Sequence, residues 1–191
     1  MDDVIVDLVP AWIKRYNEIY NDNLTNEQIA GWNMVDYVKP ECGLKIFDIL
    51  AEPGFIYGLN PVEGAIESVN HLVELIGIEK VFIVSAAFSQ SMREKSLWIE
   101  KYLPVLKDNV IFAKKKGALY APGSFLIDDG VHNIIDFNKA GGSGYIFDTP
   151  HNQEETFPEI KDCYRYKGWN DLMSSFEKYA EYINRTSRRI N

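Results

Sequence analysis

The sequence predicts an α/β fold, in which a parallel β-sheet carries helices on both faces and a small helical cap is inserted near the N-terminus. From residue 60 onward, short apolar runs alternate with amphipathic helical patterns, which is typical of a parallel sheet. Between residues 9 and 52 no alternating strand pattern occurs. We therefore predict a core made of residues 1–14 and 60–191 and a helical cap made of residues 15–59.

Composition and charge narrow the class of protein. The 191 residues are 46 % apolar, which is ordinary for a globular domain, and the net charge is −8. This charge argues against a nucleic acid polymer or an anionic membrane as a partner. Two cysteines do not make a disulfide framework, and no apolar run approaches the length of a membrane span. We expect a cytoplasmic protein that binds a small molecule, and a homodimer is possible.

The predicted cap begins beside an amphipathic helix. Leu8, Trp12, Tyr16 and Ile19 are spaced three and four residues apart, so they share one helical face. Thr25 and Gln28 have capping-box spacing, which predicts a short helix at that point. The following residues 35–52 have a mostly helical pattern that is interrupted by a proline.

The predicted core begins at Asn60-Pro61, where an N-cap residue precedes a proline suited to the first helical position. The helix is expected to end before Gly77. The apolar runs and amphipathic patterns that follow predict strands at 81–84, 110–112, 125–127 and 144–147 and helices at 91–103 and 169–183.

Pairs of carboxylates mark two places in the chain where a strand is expected to end. Asp2-Asp3 and Asp128-Asp129 both adjoin apolar runs. Ligands bind at the carboxyl edge of open α/β sheets, and carboxylates gathered there would hold Mg²⁺ through oxygen ligands. The alternative is that either pair consists of solvated turn residues, and further residues at strand ends weigh against it.

Those residues supply the parts that phosphoryl transfer requires. Ser85 directly follows the predicted strand 81–84 as a hydrogen-bond donor, and a lysine among Lys114, Lys115 and Lys116 follows the predicted strand 110–112. Asp2 is available as an acid, and Asp128 with Asp129 is available for a metal. This set matches an acid, a metal, and donors for the phosphoryl oxygens.

Several segments resemble the haloacid dehalogenase-like phosphohydrolases, and in particular their 5′(3′)-deoxyribonucleotidase branch. The resemblance follows the order of the family's motifs over nearly the whole chain. It is carried by Met1-Asp2-Asp3-Val4-Ile5-Val6-Asp7-Leu8, Ala30-Gly31-Trp32, Pro53-Gly54-Phe55, Leu59 to Ala65, Glu94 to Tyr102, Leu126-Ile127-Asp128-Asp129 and Gly168-Trp169. It implies a Rossmann-like core, a small helical cap and Mg²⁺ as cofactor.

The resemblance also implies roles for individual residues. Asp2 matches the general acid and base, whose backbone carbonyl also meets Mg²⁺. Ser85 matches the phosphoryl-binding hydroxyl residue, and Lys116 best matches the lysine that neutralises phosphate. Lys114 and Lys115 are rivals for this last role. Asp129 matches a direct metal ligand and Asp128 a ligand through water.

The family also implies the substrate contacts, with Trp32 able to stack on a base. The residues assigned to substrate binding are Leu8, Trp32, Asn33, Met34, Ser85, Ala86, Lys95 and Lys116. His71, His132 and His151 have no zinc-like spacing and receive no role.

One departure from the family concerns the nucleophile, an aspartate two residues before the acid. Asp2 has Met1 alone before it, and Asp3 stands where relatives carry glycine. We therefore expect the natural reading frame to extend upstream by roughly five to ten codons, as a strand of ordinary length requires. The added codons should encode an apolar run that ends in Asp directly before Met1.

Three functions follow as hypotheses. The first is a magnesium-dependent phosphatase of (deoxy)ribonucleoside 5′- or 3′-monophosphates that forms an aspartyl-phosphate intermediate. The second is a catalytically silent nucleotide-binding protein. The third is a phosphatase of the same chemistry that acts on another small phosphate ester.

Overall fold

Parallel strands alternate with helices along the second half of the chain in this computed structural model, which describes residues 1–187 and the side chains of residues 1–178. The helices are α1 (Leu8–Tyr20), α2 (Ala65–Ile76), α3 (Ser89–Tyr102), α4 (Val131–Lys139) and α5 (Trp169–Ser187). The strands are β1 (Ile83–Ser85), β2 (Val110–Phe112), β3 (Phe125–Asp128), β4 (Ser143–Phe147) and β5 (Arg165–Tyr166). The predicted α/β class with parallel strands is confirmed.

The strands form two separate parallel sheets. One contains β1 and β2, with Ile83 opposite Val110. The other has the order β3-β4-β5, with Phe125 opposite Ser143 and Ile146 opposite Arg165. β1 and β3 are therefore edge strands that face each other across a gap.

An apolar groove lies between the two sheets, and we call it the inter-sheet groove. It has a volume of about 750 Å³, and its walls include Val84 of β1 and Phe125 and Ile127 of β3. Val69 and Leu72 of α2 line it as well. Met1 lies at one end of the groove, where its nitrogen donates to the carbonyl of Val84 at 3.3 Å.

The first seven residues form a tight turn. The N–H of Ile5 donates to the carbonyl of Met1 at 2.9 Å, and Asp3 has a left-handed backbone with φ of 47°. The left-handed region is uncommon for residues other than glycine, although aspartate tolerates it. Glycine would adopt this backbone conformation without a steric cost, so the position would also suit glycine.

The turn also explains why α2 begins later than the sequence predicts. The carbonyl of Asn60 accepts from the N–H of Asp7 at 3.0 Å, and the N–H of Val62 donates to Ile5 at 3.1 Å. These contacts hold residues 60–62 beside the N-terminal turn. The helix therefore starts after Gly64, whose φ of 72° reverses the chain.

The region between α1 and α2 is built from short 3₁₀ segments, Asn26–Gln28, Met34–Tyr37 and Gly43–Ala51. Its apolar residues pack against α1 in a cluster of their own, in which Trp12 and Tyr16 are fully buried and the Trp12 indole donates to Ile46 at 3.0 Å. α1 thus contributes to this cluster from Val9 onward. The division at residues 14 and 59 stays a prediction.

Two elements were not predicted from the sequence. The helix α4 follows Asp128 and Asp129 and contains asparagine, aspartate and β-branched residues, which have low helix propensity. Its formation is explained by packing, because Val131, Ile134 and Phe137 are buried. The strand β5 has two residues, too few for a recognisable pattern. Within the described part of the chain, no helix is both long and apolar enough to cross a membrane.

Candidate active site

Polar side chains converge where β1 and β3 end, as the sequence predicts. Ser85 is the last residue of β1, and Asp128 is the last residue of β3. Both line a pocket of about 370 Å³, which we call the strand-end pocket. Predicted site residues among its walls are Asp2, Leu8, Trp32, Asn33, Met34, Ser85, Ala86, Lys116, Asp128 and Asp129.

A buried lysine from α3 organises one side of the pocket. The ammonium of Lys95 donates to Asp2 Oδ2 at 2.5 Å, to Ser85 Oγ at 2.8 Å and to the carbonyl of Ala86 at 2.9 Å. Asp2 Oδ1 is buried and has no hydrogen-bond partner among the described residues. One oxygen of Asp2 is therefore fixed by Lys95, and the other is available to a ligand.

A second buried lysine forms an ion pair with Asp128. The Lys116 ammonium bonds to Asp128 Oδ2, and the side chains are 7 % and 2 % exposed. The other oxygen, Oδ1, accepts from the N–H of Gly130 at 2.9 Å and from Asn133 Nδ2 at 2.8 Å. Every oxygen of this carboxylate is thus engaged within the protein.

The position of Lys116 depends on the next residue in the chain. The N–H of Gly117 donates to Asp136 Oδ2 at 2.9 Å, and a Cβ at Gly117 would lie 2.7 Å from the backbone oxygen of Asp136. A glycine is therefore required for this close approach to α4. The rival lysines, Lys114 and Lys115, are exposed, so burial favours Lys116 among the three.

The third charged group combines Asp3, Asp129 and His151. Their ligand atoms all lie within 4.8 Å of one another, and His151 Nε2 is 2.9 Å from Asp129 Oδ2. The carbonyl of Asp129 accepts from Asn152 Nδ2 at 2.9 Å, which fixes the loop after β4 beside it. Loss of hydration and the charge of Asp129 raise the pKa of Asp3 well above its usual value, and loss of hydration also raises the pKa of Asp129.

This group could hold a metal ion, and it differs from the set predicted from the sequence. Two carboxylates and an imidazole can coordinate a divalent cation. Of the predicted ligands Asp2, Asp128 and Asp129, the structure places Asp129 in the group and pairs the other two with lysines. The ligand roles of Asp2 and Asp128 stay predictions.

An aromatic side chain lies at the mouth of the pocket. Trp32 is 49 % exposed, and its ring packs edge-on against His132 at 4.6 Å and His151 at 5.8 Å between ring centroids. Asn33 is exposed and Met34 is half-buried beside it. The indole is thus held in place by two histidine rings, while about half of the side chain is open to solvent.

The Met1 amine is close to the same charged residues. Loss of hydration lowers its pKa, and the nearby positive charge of Lys116 acts in the same direction. Met1 and Lys116 both line the strand-end pocket and the inter-sheet groove, so the amine lies where the two cavities meet.

Sequence reasoning gave no role to His132 and His151, and it counted Asp3 among the expected carboxylates without pairing it with Asp129. His151 follows β4, the strand next to β3, so the same argument about the carboxyl edge of a sheet could have identified it. His132 lies in the first turn of α4, which was not predicted. No signal in the sequence shows that the Asp3 side chain points toward residue 129, because this depends on its left-handed backbone.

Comparisons with known proteins find relatives along nearly the whole chain. A family model described as "5' nucleotidase, deoxy (Pyrimidine), cytosolic type C protein" matches residues 1–178. A protein of Clostridium acetobutylicum named 5'(3')-deoxyribonucleotidase is 38 % identical over 92 % of this chain and 94 % of its own length. A Staphylococcus epidermidis protein, provisionally given the same name, is 31 % identical over 92 % of both chains. A Bordetella pertussis protein with the same provisional name is 28 % identical over 91 % of this chain and 92 % of its own.

Proposed function

The chain belongs to the cytosolic type C deoxy(pyrimidine) 5′ nucleotidase family of haloacid dehalogenase-like phosphohydrolases, and we propose that it hydrolyses deoxyribonucleoside monophosphates. Its activity is that of a phosphoric monoester hydrolase. The observation that carries the proposal is the meeting of Ser85, Lys116, Asp2 and Asp129 at one pocket. The pocket volume of about 370 Å³ is within the usual range for small-ligand sites.

The phosphate end of the pocket is the part beside Lys116 and Ser85. Lys116 brings a buried positive charge, and the Ser85 hydroxyl is a donor held by Lys95. A phosphate monoester carries up to two negative charges, which such preorganised donors stabilise strongly away from water. The two lysines thus provide the local cations that a protein with net charge −8 needs to bind an anion.

A divalent cation is expected beside Asp129, and we propose that it is Mg²⁺. The site holds two lysine ammoniums, which pair with Asp2 and Asp128, and two further carboxylates, those of Asp3 and Asp129. Carboxylates therefore outnumber lysines in this site. Asp129 would hold the ion with Asp3 or His151, and Asp128 would support it through water. When bound, the cation neutralises charge on the phosphoryl oxygens.

We propose a two-step reaction through an aspartyl phosphate. The nucleophile would be an aspartate joined to the Met1 nitrogen, close to Lys116 and two residues before Asp2. Its oxygen forms a bond to phosphorus as the ester P–O bond breaks, and Asp2 gives a proton to the departing nucleoside oxygen. Asp2 then takes a proton from the water that attacks phosphorus, so that the aspartate and inorganic phosphate are released.

The nucleoside end of the pocket would be formed by Leu8, Trp32 and Met34. The exposed part of the Trp32 ring is suited to stacking on a base, a contact worth about 1–3 kcal/mol. The residues between α1 and α2 would then act as a cap that covers the nucleoside and excludes water.

Phosphate release and nucleotide binding together test this function. A form of the chain with Asp directly before Met1 should release phosphate from thymidine or deoxyuridine monophosphate with Mg²⁺, and chelation should stop the reaction. The matched Asp2→Asn variant should bind the nucleotide in calorimetry without turnover. Hydrolysis of an unrelated phosphate ester but not of nucleotides would redirect the substrate class, and binding without turnover in the parent form would favour a silent nucleotide-binding protein.

A further inference from the structure

The side chain of Asn152 joins the loop after β4 to Asp129. It is fully buried, and its amide nitrogen donates to the carbonyl of Phe147 at 2.8 Å and to the carbonyl of Asp129 at 2.9 Å. Its side-chain oxygen accepts from the N–H of Thr149 at 3.2 Å. A flipped amide would set its oxygen against two carbonyl oxygens, so this orientation alone fits. The place of Asp129 beside β4 therefore depends on how this amide is held.

Arg165 of β5 binds the oxygen atoms of the same asparagine. Its Nη1 donates to Asn152 Oδ1 at 2.7 Å, and its Nη2 donates to the backbone carbonyl of Asn152 at 2.8 Å. The planar fork of arginine thus fixes both the side chain and the backbone of one residue. Because His151 directly precedes Asn152 and its Nε2 lies 2.9 Å from Asp129 Oδ2, the same fork restrains that imidazole as well.

The strands and a carboxylate fix the guanidinium in turn. Arg165 lies opposite Ile146 in the pairing of β5 with β4, so the sheet sets where its side chain begins. Its Nη1 also donates to Asp148 Oδ1 at 2.6 Å, and Gln153 Nε2 donates to that oxygen at 3.1 Å. The arginine and aspartate side chains of this pair are 17 % and 32 % exposed. Asp148 neutralises the guanidinium, which therefore acts on Asn152 as an oriented hydrogen-bond donor.

The charge of Arg165 has the wrong sign to attract a metal ion. A guanidinium repels a divalent cation, so removal of its charge alone would favour cation binding. Among the described residues, the hydrogen bonds of Arg165 go to Asp148 and Asn152. Any support that it gives to the cation site must therefore pass through Asn152 to Asp129 and His151.

We propose that Arg165 is a positioning residue for the divalent cation beside Asp129 and that it acts through Asn152. This inference rests on the proposed function, from which it takes the cation site. Residues that orient metal ligands without touching the metal commonly change metal affinity by about 10- to 100-fold. Since Arg165 acts through one further residue, loss of its fork should raise the Mg²⁺ dissociation constant by about 10-fold, the lower end of that range.

Two replacements of Arg165 separate its fork from its charge. Arg165→Met removes both, whereas Arg165→Lys keeps the charge without the fork, and Mg²⁺ is titrated into each whole chain by calorimetry. Both variants should bind Mg²⁺ about 10-fold more weakly than the parent. Arg15→Met is the matched control, because Arg15 pairs with Glu52 at 2.8 Å and neither residue lines the strand-end pocket. This control should leave the dissociation constant unchanged.

The route through Asn152 has its own test. Asn152→Ala should weaken Mg²⁺ binding by about 10- to 100-fold, and Arg165→Met added to it should have no further effect. The backbone amide of Thr149 reports on the same link without a metal, since it donates to Asn152 Oδ1. Its hydrogen exchange should be faster in both Arg165 variants and unchanged in Arg15→Met, and this measurement stands even if Asn152→Ala does not fold.

The outcomes distinguish this inference from the proposed function. Mg²⁺ binding in the parent that is unchanged or tighter in both Arg165 variants would overturn the positioning role alone, even if their melting temperatures fall. A further loss of affinity when Arg165→Met is added to Asn152→Ala would also overturn it, because the arginine would then act by another route. A parent chain that binds no Mg²⁺ would remove the proposed cation site itself, and the inference with it.

Discussion

Removal of the Lys116 charge should destabilise the fold through its partner. Lys116→Met keeps most of the side-chain volume but leaves the Asp128 carboxylate, which is 2 % exposed, with Gly130 and Asn133 as its hydrogen-bond donors. Breaking a buried ion pair from one side costs about 3–5 kcal/mol, which is a large part of a domain's stability of about 5–15 kcal/mol. For a chain of this size the melting temperature should fall by about 6–20 °C.

A double-mutant cycle isolates this effect. Asp128→Asn removes the charge and keeps an oxygen for the N–H of Gly130, so Lys116→Met combined with Asp128→Asn should recover most of the lost stability. Lys114→Met and Lys115→Met are matched controls, since both lysines are exposed and their replacement should change stability by less than about 0.5 kcal/mol. Urea unfolding followed by circular dichroism gives the free energies for all variants.

A coupling between Lys116 and Asp128 below about 0.5 kcal/mol would refute this reasoning. The same outcome would mean that the lysine is held by other groups and that its burial does not depend on charge pairing. In an active form of the chain, a greater loss of turnover for Lys114→Met than for Lys116→Met would show that the proposed catalytic lysine is assigned to the wrong position in this loop.

Three further predictions concern the metal group, the base platform and the loop that carries the lysine. Because the pKa of Asp3 is raised in the folded protein, its protonated carboxyl stabilises the fold below about pH 4, and this contribution is lost as the pH rises through the folded pKa. The ionisation of Asp3 should therefore lower the melting temperature of the metal-free protein as the pH rises toward about 7. In a plot of melting temperature against pH, Asp3→Asn should reduce this fall, and Mg²⁺ should reduce it in the parent protein. An unchanged plot for Asp3→Asn would exclude Asp3 as the source of the fall. Trp32→Ala in an active form should raise KM for thymidine monophosphate about 10- to 100-fold with little change in melting temperature, whereas an unaltered KM would argue against stacking on the base. Gly117→Ala should cost about 1–3 kcal/mol in unfolding because its Cβ would meet the backbone of Asp136, and retention of full stability would mean that the loop can move away.

The positions of Ser85, Asp128 and Asp129 were predictable because strand order carries them. Each follows a short apolar run, and the ends of parallel strands must meet at one edge of a sheet. Lys116 was predicted together with two neighbours, since the sequence shows a run of lysines without showing which one turns inward. Burial in the folded protein distinguishes it.

Other features depend on contacts between distant residues, which a local pattern does not contain. α2 begins at Ala65 rather than at Pro61 because the preceding residues bond to the N-terminal turn. α4 forms against β3 and β4 despite its low intrinsic helix propensity, so packing overrides the local preference. His151 enters the site through a loop that Asn152 fixes by donating to Phe147 at 2.8 Å and to Asp129 at 2.9 Å.

The distribution of lysines explains why the cation is expected beside Asp129 rather than elsewhere among the carboxylates. Lys95 engages Asp2, and Lys116 engages Asp128, so each of these acids already has a buried cationic partner. Loss of hydration and then the charge of Asp129 raise the pKa of Asp3, whereas loss of hydration and then the charge of Asp128 raise the pKa of Asp129. A divalent cation gains most where negative charge is least compensated. Since α3 supplies Lys95 to Asp2 and the loop after β2 supplies Lys116 to Asp128, the place beside Asp129 is where we expect the metal.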